Sequence, residues 1–97
     1  MVTWVYIVKC SDGSYYTGVA HESLERRIGA HNAGTYGGYT STRRPVRLVF
    51  SQDFDRVTDA IAAERQIKRW SRAKKEALIR GDFDALRKLA KRPTKRR

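Results

Sequence analysis

Apolar positions recur along the chain with two different periods. Val2 to Lys9 (VTWVYIVK) is dense in β-branched and aromatic residues and predicts a strand. Tyr15 to Ala20 (YYTGVA) predicts a second strand, with Ser11-Asp12-Gly13 between them as a hairpin turn. From Glu22 to Asn32 the period changes, and Leu24, Ile28 and His31 fall at helical spacing. Ala33 to Thr42 is rich in glycine and hydroxyl residues and reads as a loop. Pro45 then opens a third strand, Val46 to Ser51. Thr58 is placed to cap a helix running to about Trp70, with Asp59 favourable in its first turn. Ser71 caps a further helix to about Arg80, Gly81 breaks it, and Asp82 caps a last one to about Ala90. The order β-β-α-β-α-α-α predicts an α+β fold, a small three-stranded antiparallel sheet flanked by helices. Residues 1–90 are expected to form one domain and residues 91–97 a disordered basic tail.

The turn decides which tyrosines meet. A two-residue turn at Asp12-Gly13 would put Tyr6 and Tyr16 on opposite faces. A three-residue loop with Gly13 left-handed sets Cys10 opposite Ser14, Tyr16 opposite Val8 and Gly18 opposite Tyr6. The tyrosines then share a face as diagonal neighbours. The order polar-Asp-Gly favours the three-residue loop. Gly18 would also leave open space on that face.

Polar residues interrupt both longer helical stripes. On the Thr58–Trp70 stretch Ala60, Ile61 and Ile67 mark the inner side, and Glu64 shares it. A carboxylate there needs a partner, either an arginine in an ion pair or a bound cation. In the Glu22–Asn32 stretch Leu24 and Ile28 mark the buried side, and Arg27 and His31 border it. Arg27, His31 and Glu64 are therefore expected over one face of the sheet.

Charge adds a partner class. Twenty-one Lys+Arg stand against 10 Asp+Glu, a net charge of +11 that points to a polyanion, most simply nucleic acid. Residues 1–56 carry only +2, whereas residues 57–97 carry +9. Arg65 to Lys75 contains six cations and no acid, and the tail Lys91 to Arg97 contains five and no acid. The length supports one domain, and 40% hydrophobic residues suffice for its core. The single cysteine, Cys10, excludes an internal disulfide framework. The strand-like start of the chain does not have the form of a signal peptide, and the cytoplasm is the expected location.

Together these residues resemble a known family. Tyr6, then Tyr16-Thr17-Gly18, then Arg27 on the following helix and Glu64 on a later one are similar to the GIY-YIG nuclease superfamily, closest to its small stand-alone UPF0213 type. The likeness extends through Leu24 to Ile28, His31-Asn32, Tyr39-Thr40, Arg44-Pro45-Val46, Ala60 to Lys68 and Ser71 to Lys75, covering about residues 3–80. The first name-giving triplet is here Trp4-Val5-Tyr6, and the second has Thr17 in place of Ile. Some relatives carry an Asn about a dozen residues after the Glu; Glu76 stands there in this chain.

The resemblance implies hydrolysis of a phosphodiester with a divalent cation, Mg²⁺ or Mn²⁺. Glu64 would be its one protein ligand, which suits a cation that keeps its waters. Arg27 would donate to the phosphate oxygens, Tyr6 would be the base and Tyr16 would orient water or phosphate, or the reverse. A free phenol, with a pKa of about 10, needs nearby cations for that work. His21 at the mouth of the site would relay the proton, and His31 would position the site or bind phosphate. Tyr36 and Tyr39 would offer faces to unpaired bases. Arg43, Arg44, Lys68, Arg69, Arg72, Lys74 and Lys75 would bind the nucleic acid, most simply single-stranded or branched DNA. A monomer is expected. The competing functions are a non-catalytic module binding nucleic acid, RNA included, and a nuclease subunit directed by a partner.

Overall fold

The computed structural model describes residues 2–90, so the basic tail at 91–97 lies outside the described residues. Strand β1 (Thr3–Lys9) pairs antiparallel with β2 (Tyr15–Ala20) on one side and with β3 (Arg47–Phe54) on the other, giving the order β2-β1-β3. Helix α1 (Leu24–Asn32) joins β2 to β3, and α2 (Val57–Lys68), α3 (Arg72–Ile79) and α4 (Phe83–Ala90) follow. The β-β-α-β-α-α-α order and the three-stranded antiparallel sheet read from the sequence are those of the structure.

The hairpin has the three-residue form. Gly13 sits at φ 85°, and its N–H donates to the Cys10 carbonyl at 2.9 Å. Only glycine takes that backbone geometry without a Cβ penalty. The Cys10 N–H donates to the Ser14 carbonyl at 2.8 Å, and the ladder then sets Val8 against Tyr16 and Tyr6 against Gly18.

Because β1 is the central strand, its alternating side chains feed two cores. Tyr6, Val8 and Cys10 face Ala20, Val46 and the α1 residues Leu24 and Ile28. Val5 and Ile7 face Ala60 and Ile67 of α2, with Leu78 and Ile79 of α3 packed alongside. Strand β3 continues to Phe54, three residues beyond the predicted end, because Ser51, Gln52 and Asp53 pair with Tyr6, Val5 and Trp4 while their side chains stay exposed on an edge strand.

Local signals set most helix ends. The Ser23 hydroxyl accepts from the Arg26 N–H, so α1 starts two residues later than its periodicity suggests. Ser71 accepts from the Lys74 N–H and Asp82 from the Ala85 N–H, as their positions predict. Thr58 is not a cap. The chain bends at Asp55-Arg56, α2 is already helical at Val57, and its cap residue Arg56 makes no side-chain capping bond.

Candidate active site

The register brings Tyr6 and Tyr16 together beneath α1 and the following loop. Tyr6 is 1% exposed, and its hydroxyl shares a 2.8 Å hydrogen bond with His31 Nε2. His31 Nδ1 lies 2.9 Å from Thr40 Oγ1, and both residues are buried. Tyr16 meets the edge of the His31 ring at 5.5 Å and stacks on Tyr39 at 6.2 Å. Tyr36 closes on His31 from another side at 4.9 Å. A network buried this deeply is stable only when each polar atom has a partner, and the Tyr6–His31–Thr40 chain supplies them.

Gly18 is the floor of this arrangement. A Cβ placed there would lie 2.5 Å from the Tyr6 hydroxyl and 2.6 Å from the adjacent ring carbon. The absent side chain is what lets the phenol lie against the β2 backbone.

Charge tunes the two central groups. Burial, then the neighbouring Tyr16, pushes the Tyr6 phenol up to about 12, while the Arg27 guanidinium beside it pulls the other way. Burial and then Arg27 push His31 below the ordinary imidazole value, so it rests neutral. Arg27 holds Glu22 at 3.2 Å and lies 5.0 Å over the Tyr36 ring. Its guanidinium is thereby oriented at the edge of the tyrosine cluster.

The other site candidates divide by what their side chains already hold. His31 is 3% exposed with both ring nitrogens engaged, so it positions Tyr6 and is not a surface contact for phosphate. His21 is exposed, and its Nδ1 lies 3.5 Å from Thr3 Oγ1, away from Tyr6 and Tyr16 in its hydrogen bonding. Arg44 donates to the carbonyls of Ser41 and Asn32 and serves as a brace within the loop. Arg43 binds Asp12 at 3.0 Å and lies 3.9 Å over Tyr39, fastening the aromatic loop to the hairpin. Arg72 donates to the Gly13 carbonyl, pairs with Glu76 and lies over Tyr15, fastening the same hairpin to α3. Glu76, at the position where relatives carry Asn, also accepts from the Tyr15 hydroxyl at 3.1 Å.

Glu64 corrects one expectation. Helix α2 packs on the Val5 and Ile7 face, opposite the face that carries Tyr6, so Glu64 does not share a face with Arg27 and His31. Its side chain is 16% exposed and pairs with Lys68 at 3.5 Å. Lys68 in turn lines an open hollow of about 370 Å³ with Tyr15, Tyr16, Thr17, Tyr39 and Lys75. Glu64 is connected to this hollow through its ion pair with Lys68. Among the described residues no three His, Cys, Asp or Glu side chains converge. A single carboxylate is a donor set that suits a hard cation such as Mg²⁺, which retains most of its waters.

Three participants take roles at the site that the sequence pattern does not assign. Thr40 and Tyr36 reach His31 only through the folding of the loop. Glu22 finds Arg27 from the bend before α1. Nothing in spacing or periodicity marks them, because loop contacts follow neither a helical nor a strand period.

Comparison with known proteins agrees with this geometry. The family model described as the GIY-YIG catalytic domain matches residues 2–77. A UPF0213 protein of Staphylococcus saprophyticus is 50% identical over 76 residues, covering 78% of this chain and 92% of that protein. A UPF0213 protein of Halobacterium salinarum is 47% identical over 75 residues, covering 77% and 96%. The solution structure of a UPF0213 protein from Bacillus halodurans matches with a TM-score of 0.54 at 38% identity, covering 95% of this chain and all of that one. That of an E. faecalis protein matches with a TM-score of 0.59 at 26% identity, covering 100% and 96%. A tyrosine pair set by a glycine-terminated register, an arginine on the next helix and a match over most of the chain place this protein in the GIY-YIG nuclease superfamily, among its small UPF0213 members.

Proposed function

We propose that this chain is a metal-dependent endonuclease that hydrolyses DNA phosphodiester bonds, with a preference for single-stranded or branched DNA. The observation that carries the proposal is the buried Tyr6–His31–Thr40 hydrogen-bond chain beside Arg27. A phenol held near 12 is protonated at neutral pH and is a weak base unless its own proton has somewhere to go. His31 Nε2, neutral and 2.8 Å away, is that acceptor. Substrate binding must open a path to the buried Tyr6 oxygen; the attacking water then gives it a proton as Tyr6 passes its own to His31, and Thr40 holds the far side of the ring. Water oxygen then forms the bond to phosphorus as the bond to the leaving oxygen breaks. Arg27 donates to the non-bridging oxygens as charge develops.

Glu64 would hold the cation, which supplies charge neutralisation at the leaving oxygen when bound. Lys68 now occupies that carboxylate and must yield it, and it is then free to meet the phosphate. The preference for unpaired DNA is supported by the hollow beside Tyr16. It joins the exposed Tyr39 side chain to two lysines, a combination suited to one base and its phosphate.

The test is a panel of single-stranded, duplex and flap DNA incubated with Mg²⁺ or Mn²⁺. Arg27→Ala and Glu64→Ala are each expected to cost about 10²–10³-fold. Equal cutting by wild type and both variants would show that the site lies elsewhere.

A further inference from the structure

The basic stretch from Arg65 to Lys75 is continuous in sequence but not in space. Helix α2 ends at Lys68 and α3 begins at Arg72, so the six cations are divided by a turn. Lys68 and Lys75 line the hollow beside Tyr16. Arg65, Arg69 and Lys74 line a different groove of about 890 Å³, together with Gln66, Trp70 and Ser71, and the two share no residue. Helical geometry explains the division, because Glu64 and Lys68 stand one above the other while Arg65 and Arg69 form the next row round the helix.

The two sets of cations also differ in what they hold. Lys68 is paired with Glu64. Among the described residues, Arg65, Arg69 and Lys74 have no carboxylate partner. Lys74 lies instead over the Trp70 ring at 4.6 Å, which sets its ammonium at the groove wall. Three cations without acids around one groove repel one another, and a polyanion removes that repulsion on binding. By contrast, Arg72 is engaged with Glu76 and the Gly13 carbonyl and belongs to the hairpin brace.

We infer that the groove formed by Arg65, Arg69 and Lys74 is a second phosphodiester-binding site, which holds a segment of the nucleic acid away from the strand in the tyrosine hollow. It takes the backbone and not the bases, because Lys74 covers the indole face and the lining offers charge with little free aromatic surface. The inference rests on the substrate being nucleic acid. It does not require that the chain cut it.

The test is equilibrium binding of the full chain without metal, read by fluorescence anisotropy against salt. One DNA is a single strand of about four nucleotides, long enough for the hollow alone, and the other is a strand of about twenty or a flap. The variant is R65Q/R69Q/K74Q. It is expected to weaken the longer DNAs about tenfold or more. It should also lower the slope of log affinity against log salt by about two, at roughly 0.7 per contact on a single strand. The short strand should change less than about twofold. Equal weakening of short and long DNA would overturn the inference, because the three cations would then act at the hollow itself. No weakening of either would overturn it too, leaving the groove as solvated charge. Failure to cleave any DNA would count against the proposed activity while leaving these binding curves unaffected.

Discussion

Tyr6 and Ile7 are neighbours on one strand and serve opposite purposes. Ile7 enters a core of aliphatic and aromatic side chains beneath α2 and α3, where apolar area removed from water is the stabilising term. Tyr6 enters the other face, where a phenol, an imidazole and a hydroxyl are buried in a single hydrogen-bonded row. The first face holds the fold together. The second accepts the cost of burying polar groups and returns tuned acid–base chemistry. The two-residue period of the central strand places an apolar core on one side and the candidate site, with a second core beside it, on the other.

That division can be broken from either side. Tyr6→Phe removes the proposed base and leaves a His31 nitrogen without its partner. Activity should fall about 10²–10⁴-fold, with a stability loss of about 1–3 kcal/mol for the unsatisfied group. Ile7→Ala should do the reverse, with about 2–5 kcal/mol lost in chemical denaturation and unchanged cutting per folded molecule. If Ile7→Ala altered the rate of the folded fraction, the two faces would be coupled.

A smaller effect sharpens the comparison. Thr17 lies on the apolar face of β2 and is 2% exposed, and its hydroxyl has no hydrogen-bond partner among the described residues. Thr17→Val keeps the shape and removes that hydroxyl, so stability should rise by about 1 kcal/mol in a urea melt. A loss of stability would mean that the hydroxyl is satisfied in solution.

Stability against pH gives the gentlest test, and two of its contributions come from the polar face. His31 is held below its ordinary value, so the unfolded chain takes up its proton first as pH falls. Stability should therefore be complete above about pH 6.5 and decline as pH drops below it. Tyr6 is raised from 10 to about 12, so the unfolded chain loses its proton first, and stability should decline as pH climbs through that interval. Chemical denaturation of His31→Gln should lack the acidic decline. Persistence of the decline would assign it to other groups.

Much of the fold was legible because its signals are local. The polar-Asp-Gly turn has one low-strain form that aligns Tyr6 with Gly18, and the structure adopts it. Ser71 and Asp82 cap the helices their positions predict, since a short oxygen side chain before a helix serves the free N–H groups wherever it occurs. Thr58 had the right chemistry two residues too late, because the bend at Asp55-Arg56 starts α2 before it. Arg27 and His31 were placed correctly toward the tyrosines for the same local reason. Periodicity fixes which side of a helix faces inward. Glu64 was not, because periodicity is silent on which face of the sheet receives the helix.

By itself, then, the chain's sequence determined the order of its elements, the hairpin register that pairs the tyrosines on one face, and the family to which it belongs. These follow from backbone preferences and side-chain spacing within a few residues. Only the tertiary structure decided that β1 is central with a different core on each side. Only it decided that His31 is a buried partner of Tyr6 held by Thr40, and that one run of basic residues lines two separate surfaces. Those outcomes depend on contacts between residues far apart in the chain. Such contacts are set by how whole elements pack, and no local period encodes them.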